Sequence, residues 1–196
     1  HGKFRFCHYK MGRQRRAVEK GSKMAESKSS KRKIMNLQHY FIEARKNGWA
    51  IGQFNISNWE TLRAIIKASQ NLRSPVIIGT SEGESKFVGL KQAVALVRAF
   101  REETGLPIFL NLDHGKSFEY IREAADLGYD AVHFDGSKLP LEENIEIAKK
   151  VVGYCHKKRV WVEGEVGIIK GSSELHKEKI EISEEDLTNP DEALQF

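Results

Sequence analysis

From Trp49 to Val166 the sequence alternates five times between a short apolar run and a longer stretch with helical spacing. No other feature limits the possible folds as tightly. The apolar runs are Trp49 to Phe54, Pro75 to Gly79, Ile108 to Leu112, Ala131 to Phe134 and Val160 to Val166. Runs this short and this apolar read as strands. Between them, Leu62, Ile65, Ile66 and Ser69 share one helical face, as do Ala93, Val94, Val97 and Phe100. Helices are therefore predicted over Trp59 to Leu72, Leu90 to Glu103, Phe118 to Leu127 (closed by Gly128) and Glu142 to Lys157. An earlier helix begins near Asn36, carries Leu37, Tyr40, Phe41 and Ala44 in phase, and stops at Asn47-Gly48. A strand–helix step every 25 to 30 residues or so is the spacing of βα units in a parallel sheet.

Two α/β architectures fit such a pattern, a doubly wound sheet and a (β/α)8 TIM barrel. No G-x-G-x-x-G turn follows the first strand, so the dinucleotide-binding form of the doubly wound sheet is poorly supported. Each strand also ends in residues able to do chemistry: Asn55, Ser81, Asp113 with His114, Asp135, and Glu163 or Glu165. A barrel brings all strand ends to one face, whereas a doubly wound sheet uses one switch point. The expected fold is thus a TIM barrel, incomplete, with about five of the eight βα units of that fold present.

The run Pro107 to Glu119, P-I-F-L-N-L-D-H-G-K-S-F-E, is the chemical centre of the pattern. A carboxylate beside an imidazole at the end of a buried strand is costly unless paired, but it suits metal ligation and proton transfer. Neighbouring strand residues point to opposite sides, so Asp113 and His114 can serve one site only if the strand breaks, and Gly115 is expected to permit the break.

Charge is unevenly placed. Residues 1–33 carry 12 Lys/Arg against Glu19 and Glu26, an excess of ten, while the whole chain has a formal net charge of +5, so the remainder is acidic by five. Residues 1–34 read as a basic, disordered extension and residues 35–196 as the partial barrel domain. The arm has few aromatics beyond Phe4, Phe6 and Tyr9, so nucleic-acid binding is not the expected role. Cys7 and Cys155 have no framework or metal spacing, which points to a reducing cytoplasm. No run reaches the ~18 apolar residues of a membrane span.

Q-F-N-I-S-N (Gln53 to Asn58), S-P-V-I-I-G-T-S (Ser74 to Ser81), L-D-H-G-K-S-F-E, F-D-G-S-K-L-P-L-E-E-N-I (Phe134 to Ile145) and V-E-G-E-V-G (Val162 to Gly167) together resemble the class II, metal-dependent ketose-bisphosphate aldolases. The resemblance runs from about residue 35 to the last residue. It implies a (β/α)8 barrel and reversible cleavage of a fructose 1,6-bisphosphate-like ketose into dihydroxyacetone phosphate and glyceraldehyde 3-phosphate. It also implies Zn2+, a cytoplasmic enzyme of carbohydrate metabolism acting on phosphorylated ketoses and triose phosphates, no membrane, and a homo-oligomer for the full-length protein. By the same resemblance, His114 is a zinc ligand, and Asp135 and Glu165 are acidic metal positions. Asp113 passes a proton to the aldehyde oxygen, and Asn55 and Ser81 lie at the substrate. The chemistry is coherent. A metal polarises the ketone, a carboxylate base removes a hydroxymethyl proton, and a second acid serves the aldehyde oxygen.

Simpler roles stand beside these. Asn55 and Ser81 could cap the following helices, Asp135 could bond the Gly136–Ser137 turn, and His133 reads as a packed, hydrogen-bonded histidine. Glu163 and Glu165 share a strand face, where two inward carboxylates without a cation would be costly. The family's basic glutamate falls about eight residues after Glu165. Ser173 stands at that place here and Glu174 beside it, so Glu174 is the candidate base. Asn111 replaces a histidine common in relatives. Three further βα units, with two more zinc histidines and phosphate loops, would be needed to complete the site, so the chain is expected to be a fragment. Two alternatives remain open: a Schiff-base phosphosugar aldolase on the same fold, for which Lys138 and Lys170 are poorly placed, and an inactive fragment with a nucleic-acid-binding arm.

Overall fold

The computed structural model describes residues 36–167, 183 and 187–196. The basic arm and Glu174 lie outside the described residues. The ordered chain opens with helix α1 (Leu37–Asn47), followed by β1 (Gly52–Asn55), α2 (Trp59–Leu72), β2 (Val76–Ser81), α3 (Glu82–Val88), α4 (Leu90–Thr104) and β3 (Ile108–Gly115). Then come α5 (Phe118–Leu127), β4 (Ala131–Phe134), α6 (Leu141–Cys155), a short 3-10 turn over His156–Lys158, β5 (Trp161–Gly164) and α7 (Pro190–Gln195).

The five strands are all parallel and lie in chain order, β1-β2-β3-β4-β5. A doubly wound sheet would reverse that order at its switch point. The sequential order is that of consecutive units in a (β/α)8 barrel. Among the described residues, β1 and β5 are the edges, each paired on one side only.

Alternation along the strands sorts their side chains into two cores. Val76 and Ile78, Ile108, Leu110 and Leu112, and Val132 and Phe134 point outward and pack against Leu62, Ile66, Ala93, Val97, Ile121, Ala124 and Val151 of the helices. The opposite face is the barrel interior. There Ile77 and Phe109 are covered from below by Leu37 of α1, with Tyr40, Ile51 and Ala131 around them. The Tyr40 and Phe109 rings are 5.5 Å apart, and those of Phe41 and Trp161 5.3 Å. Helix α1 therefore floors the N-terminal end of the strands, opposite the ends that carry the polar residues. Asp130 ties that lower end together. Its carboxylate accepts from the Leu110 amide at 2.8 Å and from the Arg101 guanidinium, while Arg101 Nε donates to the Ile108 carbonyl at 2.5 Å.

Three expectations need correction. The first strand begins at Gly52 and not at Trp49, because the Trp49 amide is used to close α1, bonding the Ala44 carbonyl at 3.0 Å beside the left-handed Gly48. Helix α3 has no counterpart in the periodicity. It forms through a capping box in which Ser81 Oγ accepts from the Glu84 amide and Glu84 Oε2 accepts from the Ser81 amide. Finally, β3 does not break at Gly115. It runs through Gly115, and the irregularity is a bulge between Leu112 and Gly115 against β4. Its left-handed residue is His114, with φ 50°.

Candidate active site

The predicted site residues reach the C-terminal mouth of the sheet by three local devices. The first is the β3 bulge. Leu112 pairs with Val132, and Gly115 pairs with Phe134, so one extra residue of β3 is accommodated over two steps of β4. Asp113 keeps the inward direction set by Phe109 and Asn111, and the left-handed His114 turns its imidazole to the same mouth. Gly115 is required for a different reason than strand breaking. A Cβ there would lie 2.8 Å from Ile121 Cγ1, 3.0 Å from Leu112 Cδ2 and 3.2 Å from the His133 carbonyl, so the glycine lets α5 sit hard against β3.

The second device is the end of β4. Asp135 Oδ1 accepts from the Ser137 amide at 3.2 Å and from Ser137 Oγ at 2.6 Å. Its other oxygen, Oδ2, is left for His114 Nδ1 at 3.1 Å. Asp135 thus bonds the Gly136–Ser137 turn with one oxygen and faces His114 with the other. The third device is Asn144 of α6, which is 2% exposed. Its Nδ2 donates to the Glu165 carbonyl at 2.8 Å, just past β5, and fixes where the Glu165 side chain starts.

These devices converge on His114. Its Nδ1 is 3.1 Å from Asp135 Oδ2 and 3.2 Å from Glu165 Oε2, and its Nε2 is 3.9 Å from Asp113 Oδ1. His133 stands behind, with ring centroids 4.4 Å apart. Its Nε2 is 3.1 Å from Glu165 Oε2 and its Nδ1 is 3.7 Å from Asp113 Oδ1. The sequence places His133 among packing residues; the structure puts it in the cluster. The signal was there in the alternation, since His133 shares the inward face with Asp135.

Charge in the cluster is finely set. The His133 imidazole, and then the Asn55 amide, hold the Asp113 carboxyl below its ordinary value, against the burial that raises it. Burial alone would push the His133 imidazole down, but Asp113, Glu163 and Glu165 outweigh it and raise its proton affinity. Burial pushes Asp135 up, and Ser137 and His114 bring it below the usual carboxylate range.

The donor set fits a divalent cation. Asp113, His114 and His133 offer ligand atoms close enough for one ion, and so do His114, Asp135 and Glu165. Mixed imidazole and carboxylate donors suit zinc and its neighbours. His133 Nε2 and Glu165 Oε2 are buried and approach each other, yet the pair lacks hydrogen-bond geometry and each atom is without a hydrogen-bond partner. Buried polar atoms left this way are costly, and a cation between them would satisfy both.

Asn55 and Ser81 also lie at the mouth. Asn55 does not cap α2; Asn58 does, accepting from the Thr61 amide at 2.8 Å. Asn55 Nδ2 instead donates to Asp113 Oδ2 at 2.8 Å and to Glu84 Oε2 at 3.2 Å. Ser81 does cap the helix after it. Glu84 was not singled out by the sequence, because no helical period marks α3. Deeper in the interior, Asn111 Nδ2 donates to Gln53 Oε1 at 2.9 Å. Lys138, the lysine at the end of the β4 loop, is exposed, and Lys170 lies outside the described residues.

Comparison with known proteins identifies the family. A sequence model of the family described as fructose-bisphosphate aldolase class-II matches residues 35–196. A fructose-bisphosphate aldolase of Staphylococcus aureus is 40% identical over 144 residues, 72% of this chain and 50% of its own length. The Geobacillus stearothermophilus fructose-bisphosphate aldolase is 39% identical over the same shares. The crystal structure of the YdjI aldolase from Escherichia coli K12 superposes with a TM-score of 0.69 at 26% identity, covering 82% of this chain and 56% of that one. The chain spans about half the length of the curated relatives it matches. With the family match covering the whole barrel segment and its motifs gathered at one mouth, the chain belongs to the class II fructose-bisphosphate aldolase family.

Proposed function

We propose that the protein carrying this chain is a zinc-dependent aldolase that reversibly cleaves a ketose 1,6-bisphosphate of the fructose type into dihydroxyacetone phosphate and glyceraldehyde 3-phosphate. The observation that carries the proposal is His114, whose Nδ1 lies within 3.2 Å of carboxylates from both Asp135 and Glu165, with His133 and Asp113 beside it. His114, Asp135 and Glu165 are the proposed holders of the ion, and His133 joins them as a donor from this chain. When bound, a divalent cation supplies Lewis-acid polarisation of the ketone and stabilises the charge that develops there.

The chain's own residues do the rest. Asp113 is kept ionised at the edge of the cluster, suited to take the C4-hydroxyl proton in cleavage and to return it to the aldehyde oxygen in condensation. Asn55 and Ser81 border the place where the sugar would sit. Glu174 is the proposed base for the hydroxymethyl proton. Residues 35–196 are proposed as part of the barrel domain, and residues 1–34 as a separate basic extension. Among the described residues no helix is long and apolar enough to cross a membrane.

The test is cleavage of fructose 1,6-bisphosphate by the whole protein, with and without a chelator. The proposal expects activity that the chelator abolishes and zinc restores. Full activity in chelator, together with a substrate adduct trapped on a lysine by borohydride, would replace it with the Schiff-base mechanism.

A further inference from the structure

Asn55 ends β1, and Asp113 stands two strands away on β3. Their 2.8 Å hydrogen bond therefore has to cross β2. It does so at Gly79, the register partner of Asn55. A Cβ on Gly79 would lie 1.9 Å from Asn55 Oδ1 and 3.4 Å from Gln53 Nε2. No real Cβ tolerates the first distance, so the glycine is what opens the passage. Gln53 uses the same gap to reach Asn111 on β3. Two side chains of β1 thus pass over one glycine of β2 to meet two side chains of β3.

An asparagine amide can present either its donor or its acceptor end. Presenting the oxygen to Asp113 would set acceptor against acceptor. Glu84 Oε2 accepts from the same Nδ2 at 3.2 Å, and that oxygen is itself fixed by the Ser81 amide at 2.7 Å. The amide nitrogen has two hydrogens, one for each carboxylate. With Asp113 and Glu84 on the same side, Nδ2 must face them and Oδ1 must lie over Gly79. The bond to Asn55 engages Asp113 Oδ2, which leaves Oδ1 toward His133 and His114.

We infer that Glu84 is a positioning residue that acts on Asp113 through Asn55, and that Gly79 is the gap through which this bridge crosses the sheet. The inference rests on the reading of Asp113 as the proton carrier. Glu84 sits on the helix after β2, away from the His114 cluster, and its effect reaches the reaction only by fixing the plane of one carboxylate.

A double-mutant cycle in the whole protein, with kcat, KM and metal content measured for each variant, tests it. Glu84→Ala should lower kcat on the order of 10-fold, with KM and metal content held. Glu84→Gln keeps an oxygen for both donors and should stay within about twofold of the parent. Asn55→Ala should lose at least as much as Glu84→Ala, and the double variant no more than Asn55→Ala alone. If Glu84→Ala loses α3 and does not fold, Gly79→Ala takes its place. It should lower kcat by displacing Asn55, and it should add nothing in the Asn55→Ala background. Multiplying losses in either cycle, or an unchanged kcat for Glu84→Ala, would overturn the inference. Asp113→Ala separates the two levels of the argument. An unchanged turnover there overturns the proton-carrier reading and the bridge with it, whereas a lost turnover beside multiplying losses overturns the bridge alone.

Discussion

Asp113 and His114 are consecutive along β3, yet both reach one mouth, because His114 takes a left-handed backbone at φ 50° and the strand bulges around it. A non-glycine residue in that region is held there by its surroundings. Here the surroundings are Asp135 and Glu165, 3.1 and 3.2 Å from its Nδ1. The two neighbours should therefore fail in different ways.

His114→Ala should lose metal and activity together. Loss of a residue that merely supports a ligand costs about 10- to 100-fold in metal affinity, so loss of His114 itself should cost at least about 100-fold. Asp113→Ala should keep the metal and lose turnover by a factor on the order of 10² to 10⁴. Elemental analysis and steady-state rates on the whole protein distinguish them. A fully metallated His114→Ala protein would remove His114 from the site.

Much of this arrangement is legible in the sequence. The polar residues cluster at the C-terminal ends of the strands, where β2 closes on Ser81 and β3 on Asp113 and His114. Phe118–Leu127 and Trp59–Leu72 were readable to the residue, the first stopped by Gly128, although the cap of the second is Asn58 and not Asn55. What failed had no apolar period to mark it, whether the deciding contact was local or distant in sequence. In H-G either residue could take the left-handed conformation. It is His114 that does, at φ 50°. Helix α3, E-G-E-S-K-F-V, has no apolar face to announce it and is held by its cap. His133 looked like core because its partner Glu165 arrives from the segment just past β5, 32 residues later in the chain.

The packing role of Gly115 gives a stability prediction. Gly115→Ala puts a methyl group 2.8 Å from Ile121 Cγ1 and 3.2 Å from the His133 carbonyl. Ile121 is fully buried and the carbonyl is backbone, so neither yields readily. Overpacking of this kind costs about 1–3 kcal/mol. Denaturant unfolding of the whole protein should show that loss. An alanine variant as stable as the parent would mean that α5 can withdraw from β3 without cost.

Asn144 should couple stability to the site. Its amide bonds the Glu165 carbonyl at 2.8 Å, and its Oδ1 would lie 2.2 Å from a Cβ on Gly136. Asn144→Leu removes the donor from a part-buried carbonyl, which costs about 1–3 kcal/mol, and it frees the start of the Glu165 side chain. The expected outcome is a lower unfolding midpoint together with weaker metal binding in a chelator competition. Lower stability with unchanged metal affinity would make Asn144 a packing residue only.

Tyr129 supplies the pH dependence. It is 2% exposed, and its hydroxyl lies 3.0 Å from Thr80 Oγ1 on the outer side of β2. Burial pushes its phenol up to about 12 from an ordinary value of 10.0, with the Thr80 bond opposing. The folded value is raised above the unfolded one, so the fold favours the neutral form. Its contribution is fully present below pH 10 and is lost as the pH rises through about 12. Cys155, pushed up to about 11 from 9.0 by burial, acts in the same direction and is common to parent and variant. Tyr129→Phe should be less stable near pH 8, because Thr80 loses its buried partner, by about 1–3 kcal/mol. It has no phenol to ionise, however, so the gap between parent and variant should narrow as pH rises from 10 toward 12. Denaturant midpoints for both proteins at a series of pH values would check this. A gap that stays constant across that range would show that the Tyr129 phenol does not titrate with unfolding.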